Sequence, residues 1–150
     1  MMNSFLELIV DNSNVLDELL VIDNNRMGSN FDKERFLNTI SITDKKYEFS
    51  NGDNLLIIYD GNPYTTYSIL NSLDNVNNII LFPNYSYLGI NTYLVNNYNN
   101  INDKCRLITD KNYNKFIHTN DIFDYVYVVG DSNMYELVKK DFPNTILIQA

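Results

Sequence analysis

The chain contains no tryptophan, and only one cysteine and one histidine among 150 residues. Cys105 alone cannot close an internal disulfide. Together with His118 it cannot make up a His/Cys metal site, which needs more such ligands, so no metal is expected. Basic side chains are also scarce: 11 Lys and Arg stand against 19 Asp and Glu, for a formal net charge of -8. With no run of Lys or Arg, the surface repels a phosphate backbone or an anionic membrane, and neither nucleic acid nor membrane is expected as a partner. No segment approaches the ~20 apolar residues of a membrane span. The opening Met-Met-Asn-Ser-Phe-Leu-Glu has neither a basic region nor a long apolar run, so a cytoplasmic location is expected.

What is present suits one ordinary globular domain. Apolar residues make up 45% and aromatic ones 13% of a chain long enough to bury a core without disulfides or metal. Twelve tyrosines and a high density of asparagine read as compositional drift, so single asparagines carry little functional weight.

From Asp44 onward, apolar β-branched runs alternate with stretches of helical period. Strands are expected at 55–59, 79–82, 105–108, 125–129 and 145–148, with a further short one at 47–49 ended by Asn51-Gly52. Between them, helices are expected after Pro63, around Ile90 to Tyr98, near 113–117 and over 133–141. Strands that read as unbroken apolar runs are buried on both faces, and helical crossovers make neighbours parallel with right-handed connections. The fold class is therefore α/β, a three-layer doubly wound and mostly parallel sheet of Rossmann type over 44–150.

Residues 1–43 read as a helical N-terminal appendage. Ser4 and Glu7 have capping-box spacing before Leu6, Leu8, Ile9 and Val10, and 11–14 should interrupt that helix. Val15, Leu16, Leu19 and Leu20 recur at helical spacing, although 19–22 also fits a short strand. After a turn at 24–30, 31–37 reads as another helix.

In such sheets ligands bind beyond the carboxyl ends of the strands, where helix N-termini offer unpaired N–H groups. Four loops qualify: 60–63, 83–86, 109–111 and 130–133. At the first, Gly61 allows a sharp turn, Asn62 offers an amide, and Pro63 suits a first helical turn. At the last, Gly130 permits close approach of a ligand, while Ser132 could cap the helix or bond a phosphate. Asp131 opposes a phosphate there, and helix capping by Asp131 or Ser132 is the simpler reading. No Gly-x-Gly-x-x-Gly and no Gly-Lys-Ser/Thr loop follows any strand. Cys105, at the other end of its strand, reads as a small core residue rather than a nucleophile. His118 has no evident partner, and Asp121 with Asp124 reads as solvated surface.

The segment from Tyr47 onward resembles the cofactor-binding domain of the aldehyde dehydrogenase superfamily. Leu55 to Tyr59 with Asp60-Gly61-Asn62-Pro63 is similar to that family's strand and Asn-x-Pro elbow, and Asn78 to Phe82 with Pro83-Asn84 is similar to its next strand. Val128-Val129-Gly130-Asp131-Ser132 resembles the strand closing on its Gly-Ser motif. The resemblance implies NAD(P) as cofactor, held by Gly61, Asn62, Pro63, Pro83, Asn84, Gly130, Asp131 and Ser132. It also implies departures. Phe82 replaces the family's ribose-binding lysine, Asp131 replaces a small hydroxyl residue, and Ile148 or Gln149 stands where a catalytic glutamate would be. No catalytic cysteine domain follows, so the thiohemiacetal route to hydride transfer has no starting step, and no independent catalysis is expected.

Two other functions fit the same pattern. One is a protein-interaction or assembly module, including a homo-oligomer, presenting Tyr85, Tyr87, Tyr93 and Tyr98 at its surface. The other is a receiver-like phospho-acceptor using Asp60 with Asp23 nearby, which lacks a lysine for charge stabilisation.

Overall fold

The computed structural model describes residues 3–84, 87–109, 112–116 and 122–150. It contains five strands, β1 (Asn54–Tyr59), β2 (Asn78–Pro83), β3 (Cys105–Leu107), β4 (Tyr125–Val129) and β5 (Ile146–Ile148). All pair in parallel in one sheet of order β3-β2-β1-β4-β5. Among the described residues seven α-helices accompany them, α1 (Ser4–Asp11), α2 (Leu16–Met27), α3 (Lys33–Ile42), α4 (Pro63–Ser72), α5 (Leu88–Asn99), α6 (Tyr113–Phe116) and α7 (Ser132–Lys139), with one 3-10 turn at Ser13–Val15.

The period-two alternation of the central strands divides the core into two halves. Leu55, Ile57 and Tyr59 of β1, Ile79 and Leu81 of β2, and Tyr127 and Val129 of β4 face one cluster; Leu56, Ile58, Ile80, Phe82, Val126 and Val128 face the other. Helices α4 and α5 close the first face through Tyr67, Ile69, Leu70, Ile90 and Leu94. Tyr113 and Phe116 of α6 and Met134 and Val138 of α7 close the second. The molecule is thus a three-layer, doubly wound α/β domain. Leu55 to Tyr59 are all fully buried, which is why β1 carries no polar alternation in the sequence.

Helices α1 to α3 join the same core. Phe5, Leu6 and Ile9 of α1, Leu16 and Leu20 of α2, and Phe36 and Ile40 of α3 belong to the cluster on the α4/α5 face. Phe5 stacks on Tyr67 of α4 and meets Tyr98 of α5 edge-on, with ring centroids 5.4 and 5.6 Å apart. The helix boundaries follow local chemistry. Asn3, not Ser4, caps α1, its side chain accepting from the Leu6 N–H at 2.7 Å. Asp32 caps α3 by accepting from the Glu34 N–H. Gly28 closes α2 in the left-handed conformation, φ 63°. Residues 19–22 are helical, because Leu16 and Leu20, one turn apart, both reach the core.

The strand expected at 47–49 does not form. Tyr47 and Phe49 pack into the first cluster, but the N–H groups there are taken by side chains: Tyr47 N–H donates to Ser72 Oγ and Ser50 N–H to Tyr127 Oη. The apolar content of 47–49 thus covers the sheet face instead of extending the sheet. Among the described residues, no helix is long and apolar enough to cross a membrane.

Candidate functional site

Because every strand is parallel, the loops after β1, β2 and β4 leave the sheet at one rim. The expected residues Gly61, Asn62, Pro63, Pro83, Asn84, Gly130, Asp131 and Ser132 all lie at that rim, since each ends or directly follows one of these strands. The chain runs from β1 to β2 to β3 on one side and returns to β4 on the other, so the switch in strand order falls between β1 and β4. Crevices at such a switch point are the ordinary ligand sites of open α/β sheets.

The β1 loop is held from below. Gly61 sits at φ 91°, and its carbonyl accepts from Asn91 Nδ2 at 2.7 Å. Asn91 Oδ1 accepts from the Thr66 hydroxyl at 2.7 Å, and Thr66 lies 2.7 Å from Tyr59 Oη, so one buried chain joins strand, elbow and two helices. Thr66 Oγ1 also lies 3.2 Å from the Asn62 carbonyl. Burial pushes the Tyr59 hydroxyl well above its ordinary range, with its bond to Thr66 opposing, so the group stays protonated, and either hydroxyl can donate in that bond.

On top of this support, the elbow closes on itself. Asp60 Oδ1 accepts from Asn62 N–H at 2.8 Å, and Asn62 Oδ1 accepts from Tyr64 N–H at 2.9 Å, with Pro63 as the first residue of α4. The Asn84 N–H donates to the Tyr59 carbonyl, which ties the β2 loop to β1. At β4, Asp131 is the cap of α7, its carboxylate accepting from Met134 N–H at 3.0 Å. Ser132 begins the helix and is exposed. Gly130 has φ 70°, and the close approach that it permits is taken by the chain itself: a Cβ there would lie 2.7 Å from Ala150 Cβ. Two carboxylates, Asp60 and Asp131, thus flank the switch point together with Asn62 and Ser132.

Several expectations change. Phe82 does not reach the rim; it is fully buried on the opposite face beneath Tyr113 and Phe116. Tyr93 and Tyr98 are buried and Tyr87 half-buried, so among the described residues these tyrosines do not form the expected exposed surface. Tyr93 bonds the Ile9 carbonyl, and Tyr87 packs at a tilt against Phe31. Asp23 is fully engaged in the fold, its two oxygens accepting from Gly89 and Ile90 N–H at the start of α5. Cys105 is a buried core residue at the far end of β3, and burial pushes its thiol up to about 12, which suppresses the thiolate. Asp124 is exposed, as expected, and accepts from the Asn54 N–H. Tyr85, Ser86, Lys111, Ile117, His118 and Asp121 fall outside the described residues. Among the described residues, no three His, Cys, Asp or Glu side chains gather as a metal-holding group.

Thr66 and Asn91 were legible only in part. Each is a buried polar residue among the apolar contacts of its helix, which signals a buried partner but not its identity. Five concavities of about 330 to 580 Å³ on the described surface avoid the switch point: Gly61, Asn62, Gly130, Asp131 and Ser132 line none of them.

The class that fold and rim define is a doubly wound, Rossmann-like α/β domain with a polar, carboxylate-bearing switch point. No family model matches the chain, and neither a curated protein nor a solved structure matches it.

Proposed function

We propose that the domain binds a nucleotide, NAD(P) or a related molecule, at the corner between β1 and β4, in the manner of an aldehyde dehydrogenase cofactor domain and without catalysis of its own. The observation that carries this reading is the strand order 3-2-1-4-5, which puts the elbows at Asn62-Pro63 and Gly130-Asp131 on either side of one switch point. That order is the one used by dinucleotide-binding sheets; receiver sheets run 2-1-3-4-5. With Asp23 engaged at α5, the phospho-acceptor reading loses its second carboxylate. Asp60 and Asp131 suit ribose hydroxyls, which donate to carboxylates, better than bare phosphate oxygens. Nothing at the rim supplies a thiol nucleophile: Cys105 is buried at the opposite end.

Calorimetric titration with NAD, NADP and coenzyme A is the test. Heat of binding with resonance shifts at Gly61 and Gly130 supports the proposal, and no heat at millimolar ligand removes it.

A second reading, an assembly module, draws on a separate observation at the other end of the sheet. Ile122 is 82% exposed, and Tyr125 and Ile146 are each 40% exposed. Tyr125 and Ile146 border a concavity with Phe123 and Phe142 beside the short edge strand β5. Light scattering decides it: a concentration-dependent dimer abolished by Ile146→Lys supports assembly, and a monomer throughout counts against it.

A further inference from the structure

One concavity of about 580 Å³ lies beside the rim, lined by Asn30, Phe31, Asp32, Arg35, Thr39 and Tyr64. Its wall is built by two parts of the chain. Tyr64 stands in the first turn of α4, two residues after the elbow residue Asn62, whose side chain accepts from its N–H. The other five residues come from α3 and the turn before it, which belong to the N-terminal helices.

The chemistry of the lining is specific. Phe31 and Tyr64 are partly buried rings with centroids 5.4 Å apart, and Phe36 beneath them holds both at 5.4 and 5.2 Å. They form a rigid aromatic wall rather than mobile surface rings. The Arg35 guanidinium has no ion-pair or hydrogen-bond partner among the described residues, in a chain where acidic groups outnumber basic ones. By contrast, Lys33 on the same helix is paired with Asp17 at 3.2 Å. Asp32 is occupied on one side by the Glu34 N–H and keeps a second oxygen, while Asn30 adds an amide. Aromatic rings, a free guanidinium and hydrogen-bond acceptors in one cavity match a heterocycle that packs on one ring, donates from its own and carries an anionic group.

We infer that this cavity receives the base end of the nucleotide, a purine against Tyr64 and Phe31, with Asp32 and Asn30 taking its amino group and Arg35 attracting its phosphate. The inference rests on the nucleotide-binding proposal and extends it, because it gives α3 a role in recognition. It also supplies the cationic contact that Asp60 and Asp131 deny the ligand at the rim.

The test is a nuclear magnetic resonance titration of the full chain with adenosine monophosphate and with NAD, read at Arg35, Tyr64, Gly61 and Gly130. Arg35→Ala and Arg35→Lys serve as variants; Arg35 is exposed, so both should fold. Shifts at Arg35 and Tyr64, with affinity falling about tenfold in Arg35→Ala and partly kept in Arg35→Lys, are expected. Shifts at Gly61 and Gly130 alone, with Arg35→Ala binding as well as the parent, overturn the inference and leave the nucleotide proposal standing. Shifts at Arg35 and Tyr64 alone keep the cavity as a nucleotide site and overturn the rim. No shift with either ligand overturns both.

Discussion

Removing the Thr66 hydroxyl should destabilise the domain far more than its size suggests. Thr66→Val keeps the shape and deletes the one group that joins Tyr59 Oη, Asn91 Oδ1 and the Asn62 carbonyl. Tyr59, Thr66 and Asn91 are fully buried, so water cannot replace the lost partner of the two side chains. An orphaned buried polar group costs about 1–3 kcal/mol, and two groups are affected, so the expected loss is about 2–6 kcal/mol. That is a large share of the roughly 5–15 kcal/mol that holds a domain together. Tyr59→Phe is milder, about 1 kcal/mol, because Thr66 keeps Asn91 as its partner. In the double variant the Tyr59 orphan no longer exists, so the combined loss should fall short of the sum by about 1 kcal/mol. Urea unfolding followed by far-ultraviolet circular dichroism gives all three values, with unchanged denaturant dependence as the sign that only stability moved. A Thr66→Val loss under about 0.5 kcal/mol, or strict additivity in the cycle, would refute the hydroxyl chain.

Other consequences can be measured in the same way. Gly130→Ala forces an alanine to φ 70° against Ala150, while Gly28→Ala meets φ 63° with nothing within 4 Å. Both should lose about 1–2 kcal/mol from the backbone, and Gly130→Ala should lose more; equal losses would mean that Ala150 does not pack there. Asp131→Asn preserves the α7 cap but removes the charged acceptor offered to a ribose hydroxyl, so stability should hold while NAD(P) binds roughly 2- to 5-fold more weakly. Tighter binding would instead show that the carboxylate only repels the ligand's phosphates. Burial raises Cys105 from 9.0 to about 12 and Tyr93 from 10.0 to about 12. A raised acid favours its protonated form in the folded state, so stability from these groups is complete below pH 9.0 and falls as pH climbs towards about 12. Stability flat across that window, or thiol labelling of the native protein at neutral pH, would contradict the burial.

Local patterning made most of the secondary structure readable. A strand such as Leu55 to Tyr59 is apolar throughout because helices cover both of its faces, and α7 shows the helical period of a single buried stripe, whereas α4 and α5 are buried around most of their circumference. The corners were equally legible, since Asn62-Pro63 and Gly130-Asp131 are cap and turn chemistry that acts within a few residues. Parallel crossovers then put those corners on one rim.

Choices between distant partners were not readable, because a residue's type says that it will be buried without saying against what. Tyr93 and Tyr98 fit a surface as well as a core until α1 packs over α5. Phe82 points beneath α6 only because β2 alternates in step with its neighbours, and residues 47–49 lose strand pairing to the Ser72 and Tyr127 side chains. The order 3-2-1-4-5, the seating of Thr66 and Asn91 under Gly61, and the cavity between α3 and α4 all arise from pairings across tens of residues. Such pairings depend on the summed fit of whole surfaces, and that sum exists only once the layers have come together.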